Sequence, residues 1–134
     1  MTTLAAQKTR SFIADAVLLQ RLEGLAALGF GVSAYMWLGQ SWLIFAVLFL
    51  APDLFMLGYV RSARFGALNY NLAHTYVAPA VLAGLGFVIG PVAFGLAAIW
   101  VAHIGLDRML GYGLKSESGF GETHLGRVGK SKGN

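Results

Sequence analysis

Four apolar stretches of spanning length, a low charge content and a one-sided distribution of basic residues predict an all-α, polytopic membrane protein. It would have four transmembrane helices in an antiparallel bundle with both termini in the cytosol. The chain of 134 residues is 57% hydrophobic and 12% charged, with a mean hydropathy of +0.65, too apolar for an ordinary soluble domain. Its solvent must be lipid.

The predicted spans run over Leu22–Leu38, Trp42–Val60, Ala67–Ile89 and Val92–Leu110, each close to the roughly 20 residues that a helix needs to cross the hydrocarbon core. Before them, Phe12, Ile13, Ala16 and Val17 recur at helical spacing after Ser11, a residue suited to an N-cap. This suggests that segment 1–21 is a cytosolic, interfacial helix, although the first span beginning earlier is the other reading. A cleaved leader is not expected, since Glu23 adjoins the apolar run and three spans follow. The division is thus 1–21, a membrane domain 22–111, and a Gly-rich basic tail 112–134. The spans read as unbroken and without an inverted repeat, which argues against alternating-access transport.

Orientation follows from the connectors. Lys8, Arg10 and Arg21 precede the first span, Arg61 and Arg64 join the second to the third, and Lys115, Arg127, Lys130 and Lys132 follow the fourth. Gly39-Gln40-Ser41 and Gly90-Pro91 carry no charge, so the basic side is assigned to the cytosol. The ten Lys and Arg residues form no single patch, and nucleic acid is not an expected partner. The bilayer is, together with a protein partner or a second copy. There is no cysteine, which excludes disulfides and thiolate ligands.

Small residues at four-residue spacing, Ala27/Gly31, Ala98/Ala102, Ala80/Gly84 and the Gly86-x-x-x-Gly90 motif, suit close helix packing, within the bundle first and between copies second.

Polar groups inside the spans are the informative residues. At a rise of 1.5 Å per residue, Asp53 and His103 lie roughly 12 Å and His74 roughly 15 Å from the cytosolic ends of their helices. Asp107 is one turn from His103 on the same face, Tyr70, Asn71 and His74 share a face, and Glu23 enters near the start of the first span. Ionisable groups at such depth must face the bundle interior or a water-filled cavity, so a cytosol-facing polar pocket is expected. Three contents are compatible with it. One is a structural network in which Asp53, Asp107 or Glu23 pairs with Arg21 or Arg108, with the histidines, Tyr70 and Asn71 completing the hydrogen bonds. Another is a divalent metal held by Asp53, His74, His103 and Asp107, with Glu23 as a further ligand, able to activate water for hydrolysis. The last is axial ligation of a haem or chlorophyll-type macrocycle by His74 and His103.

The strings Arg21-Leu22-Glu23-Gly24, Pro52-Asp53-Leu54, Asn71-Leu72-Ala73-His74-Thr75-Tyr76, His103-Ile104-Gly105-Leu106-Asp107-Arg108, Gly111-Tyr112-Gly113-Leu114-Lys115 and Thr123-His124-Leu125-Gly126 together resemble the small bacterial membrane proteins of domain of unknown function 4260. The resemblance covers Arg21 to Gly126 and implies a four-helix protein of the bacterial cytoplasmic membrane, with no activity attached. A looser likeness, through Pro-Asp after a span and scattered His elements, is to membrane proteins described as metal-dependent hydrolases. In the tail, Phe120 and Leu125 are apolar anchors for docking on the cytosolic face or on a partner, and His124 is placed to lid the pocket. No motif identifies a reaction. The leading functional expectation is a non-catalytic subunit or partner-binding protein of a membrane complex, with a membrane-embedded metal-dependent hydrolase as the alternative.

Overall fold

The computed structural model describes residues 3–116, 119–124 and 126–127. Helix α1 (Leu4–Trp37) is continuous, and no proline interrupts it. At about 1.5 Å per residue its 34 residues reach about 51 Å, well beyond the roughly 30 Å of a hydrocarbon core. The N-terminal segment and the first predicted span are therefore one helix, not two. Gly39, at φ +64°, turns the chain after α1, and the Tyr35 hydroxyl, fully buried, donates to the Ser41 carbonyl at 2.7 Å.

One of the remaining spans changes helix type and another is broken where an unbroken α-helix was expected, and proline explains both departures. Helix α2 (Trp42–Leu48) gives way to a 3-10 helix (Ala51–Val60) in which Pro52 has no N–H to offer an α-helical ladder. Ten residues is a long 3-10 run, since such helices seldom exceed three or four residues. Helix α3 (Ala63–Ala73), capped by the Ser62 hydroxyl accepting from the Phe65 N–H, stops at His74, and α4 (Val77–Ile89) resumes after a bend of 44°. In a continuous helix the ring of Pro79 would collide with the Thr75 carbonyl, so the chain breaks between them. Helix α5 (Pro91–Leu110) starts on proline and ends with Gly111 at φ +90°, where the Tyr112 and Gly111 N–H groups return to the carbonyls of Asp107 and Arg108. Among the described residues three helices, α1, the α2 to 3-10 unit and α5, are long and apolar enough to cross a membrane, or four if α3 and α4 form one span.

Helix α5 is the centre of the fold. Its glycine and alanine face lies against α1: a Cβ on Gly31 would sit 2.7 Å from the Ala98 carbonyl and 2.8 Å from the Ala102 nitrogen. The two small-residue pairs read from the sequence thus belong to one helix interface. Gly86 faces the ring of Phe94 on α5, so this half of the Gly86/Gly90 motif is used within the chain. α4 packs on α5, whereas α3 packs on the 3-10 helix. Large apolar side chains such as Trp37, Phe87 and Val88 are more than four-fifths exposed, as lipid-facing residues are in a protein without its membrane.

The uncharged connectors meet. The Gln40 side-chain amide donates to the Pro91 carbonyl at 2.8 Å and occupies the space beside Gly95, which puts both turns at one end. At the opposite end Arg21 donates to the Met109 carbonyl at 2.9 Å. There the Gly-rich tail forms a three-stranded antiparallel meander, β1 (Lys115–Ser116), β2 (Gly119–Thr123) and β3 (Gly126–Arg127). Asn71 fastens it: its side-chain oxygen accepts from the Lys115 N–H at 2.6 Å and its amide donates to the Lys115 carbonyl at 2.8 Å, the pairing a neighbouring strand would make.

Candidate metal centre

These two departures deliver the site. Asp53 stands in the first turn of the 3-10 helix, His74 caps the end of α3, and α5 contributes His103 and Asp107 one turn apart. One donor atom from each of the four lies within 4.8 Å of all the others. His74 Nε2 is 3.1 Å from His103 Nε2, 3.3 Å from Asp53 Oδ1 and 3.5 Å from Asp107 Oδ2. His103 Nε2 is 3.4 Å from Asp53 Oδ1 and 3.7 Å from Asp107 Oδ2. A tetrahedral ion with ligand bonds of about 2.0–2.1 Å sets its donors about 3.3–3.4 Å apart, and five of the six edges, at 3.1–3.7 Å, come close to that spacing.

Proton counting supports the same reading. His74 Nδ1 faces the Tyr70 carbonyl at 2.8 Å, and a carbonyl only accepts, so Nδ1 carries the hydrogen and a neutral His74 turns a lone pair from Nε2 into the cluster. The carboxylates also accept. A neutral His103 has one N–H to offer, and its Nδ1 is buried with no hydrogen-bond partner among the described residues. The Tyr70 hydroxyl gives Asp107 Oδ2 one further hydrogen at 3.3 Å. Lone pairs that face one another in this way are compatible with a bound cation.

The surrounding residues fix these ligands. Ending α3 at Ala73 leaves backbone carbonyls without helical partners. Trp100 Nε1 donates to the Ala73 carbonyl at 2.6 Å and Arg108 Nη2 to the His74 carbonyl at 2.7 Å, while Arg108 Nη1 reaches Tyr112 at 2.8 Å. The Tyr70 ring stacks on His74 with centroids 3.7 Å apart and planes at 10°. A ladder of rings from Trp42 through Tyr35, Phe45 and Phe49 ends edge-on against His103. Both histidines are buried, whereas the Asp53 side chain keeps 34% of its exposure and is the most open ligand.

Four of the five ligands expected from the sequence converge, and Glu23 does not: it lies exposed on α1, outside the cluster. Arg21 and Arg108 donate to backbone carbonyls of α3, α5 and the tail connector, which is where the helix ends leave acceptors. Nor do the histidines have the geometry of a bis-axial haem site. Their Nε2 atoms are 3.1 Å apart with a carboxylate oxygen close on two sides, and a flat macrocycle has no slot between them. His124 ties the tail down: Nδ1 accepts from the Leu114 N–H at 2.7 Å, and Nε2 lies 3.1 Å from Gln20 Oε1 on α1. Burial, then the nearby Arg108 charge, hold its pKa below the usual histidine range, which preserves the neutral form that can accept. Leu125 and the side chain of Phe120 lie outside the described residues.

Sequence reasoning missed Trp100 and Lys115. Trp100 stands one turn before His103, a spacing visible in the sequence, but an apolar helix gives tryptophan many roles. Lys115 is buried with its ammonium 5.1 Å from the centre of the Tyr70 ring, and burial pushes its pKa down against the pull of Asp107 and Asp53. Only the fold of the tail reveals that position.

These features define a helical protein with membrane-type spans and a buried cluster of two histidines and two aspartates. The chain belongs to the family described as Domain of unknown function (DUF4260), whose model matches residues 17–128. No curated protein and no solved structure matches it.

Proposed function

We propose that the protein is a membrane-embedded, metal-dependent hydrolase whose centre is a zinc-type divalent cation held by Asp53, His74, His103 and Asp107. The observation that carries this reading is the set of five donor separations between 3.1 and 3.7 Å, drawn from three separate elements. A cation there would supply Lewis acidity and activation of water. His74 and His103 would hold it from the buried side, and Asp107, bonded to the Tyr70 hydroxyl, would be a fixed anionic ligand. Asp53 is the ligand with room beside it for water and substrate. The Arg108 and Trp100 bonds to the ends of α3 would keep His74 in place.

Elemental analysis of protein purified without chelator tests this. Close to one divalent ion per chain is expected, and wild-type protein that is fully folded and metal-free would overturn the reading.

The four-span, N-in/C-in arrangement in a bacterial cytoplasmic membrane is part of the proposal. It is supported by the basic residues gathered at the Arg21–Met109 end and the uncharged turns joined at the Gln40–Pro91 end. Topology reporters fused at Gln40 and Gly90 are expected to give outer-side signals, and those at Ala63 and Asn134 inner-side signals. An inner-side signal at Gln40 would reverse the orientation and put the metal centre in the other leaflet.

A further inference from the structure

An apolar groove of about 220 Å³ runs beside the metal centre. Leu48, Ala51 and Phe55 of the second span form one wall, Leu82 of α4 the other, and Leu96 and Trp100 of α5 the floor. Its origin is the broken third span. α3 packs on the 3-10 helix, but the 44° bend takes α4 off that line and onto α5, and Ala51 and Pro52 are too small to fill the gap. Both walls belong to membrane-type spans, so the surrounding medium is hydrocarbon. The groove borders the cluster along the chain: lining residue Pro52 precedes Asp53, and Ile99 lies one turn before His103 on α5. A polar ligand would lose its hydration on these walls without recovering it, whereas an acyl chain loses nothing.

The geometry points to a hydrocarbon-tail site: the groove takes one chain of a long-chain lipid ester and sets its ester linkage at Asp53, the most open of the four cluster residues. This deepens the hydrolase reading and rests on it. In the reaction the O–H of one water joins the acyl carbon and the bond to the alcohol oxygen breaks. The electron pair of that bond and the second proton of the water end on the departing alcohol, so no further reactant is required.

The test uses full-length protein with Trp37→Phe and Trp42→Phe, leaving Trp100 as the only indole, in vesicles of an ether-linked dialkyl phosphatidylcholine, which offers no ester. The probe is a dodecanoate ester brominated at its terminal carbon. Quenching of Trp100 is expected to saturate, and in Ala51→Phe or Leu96→Phe half-saturation should need at least about tenfold more probe, because a ring fills the groove. Metal content per chain, measured on the same samples, reports the integrity of the centre. Quenching that rises linearly with probe and is the same in all three proteins would show that Trp100 meets only bulk lipid, and would overturn the tail site even with the metal in place. Saturable quenching in a metal-free wild type would instead retain the tail site and overturn the hydrolase assignment.

Discussion

His74→Ala is expected to lower the affinity for the metal by more than about 100-fold, beyond the 10- to 100-fold typical of losing a supporting hydrogen bond. His74 stands at the centre of the donor set, with its Nε2 at 3.1 to 3.5 Å from all three of the others. Removing it leaves two carboxylates and one imidazole, of which Asp53 is partly open and free to move toward water. Tyr70→Phe is the graded control: it deletes only the hydroxyl bonded to Asp107 and should fall within the 10- to 100-fold range. Thermal unfolding with and without chelator separates this from a purely structural network. A ligand at about 1,000 times its Kd adds about 4 kcal/mol, so chelator should lower the Tm of the wild type by more than about 10 °C and leave that of His74→Ala unchanged. In a metal-free network, removing one partner would still cost about 1–3 kcal/mol, but chelator would change neither protein. A wild-type Tm indifferent to chelator would sink the metal centre.

The contrast between Asp107 and Glu23 shows what the sequence makes legible. His103 and Asp107 share one helix at a spacing of four, so their proximity follows from helical geometry alone and was readable. Asp53 and His74 were assigned to the same layer from depth counting, and both join the cluster. Depth is only one coordinate. Glu23 has a compatible depth, but the rotation of α1 is set by glycines pressed on α5, and that leaves its carboxylate exposed. A single sequence does not state the rotation of a helix about its own axis.

The departures at Pro52 and Pro79 were visible as prolines yet were read as part of continuous spans, because membrane helices often absorb proline. What turns the second into a break is non-local. Trp100 and Arg108, on a helix more than twenty residues further along, take up the carbonyls released at Ala73 and His74. The tail sheet was hidden for the same reason, since its anchor is Asn71, 44 residues before Lys115. Once that break is seen, the argument against transport from unbroken spans no longer stands. The case for hydrolysis rests instead on the open Asp53 ligand and the groove beside it.

The second large effect is expected at Gly105, which lies between His103 and Asp107 on the face of α5 that meets α1. A Cβ there would be 2.5 Å from the Leu28 nitrogen, 2.7 Å from the Gly24 carbonyl oxygen and 3.0 Å from the Ala27 carbonyl carbon. All three are backbone atoms, so no side chain can swing aside, and Gly24 opposite is equally tight, at 2.5 Å from the Met109 nitrogen. Alanine is the better helix former by about 1 kcal/mol, which sets two effects against each other. Overpacking costs about 1–3 kcal/mol where the surroundings can shift, and more where backbone must move, so the clash should win and Gly105→Ala should be destabilising. Separation of the helices would also stretch the Arg21–Met109 and Gln20–His124 bonds, both of which cross this interface or its edge. Gly105→Leu should yield little folded protein. Gly29, also on α1 but with nothing within 4 Å of its would-be Cβ, is the control, and Gly29→Ala should be neutral or stabilising by up to about 1 kcal/mol. The comparison is made by thermal unfolding of the metal-loaded proteins. If Gly105→Ala is as stable as Gly29→Ala, α1 and α5 do not approach at Gly105, and the rotation of α1 that excludes Glu23 from the centre must be different.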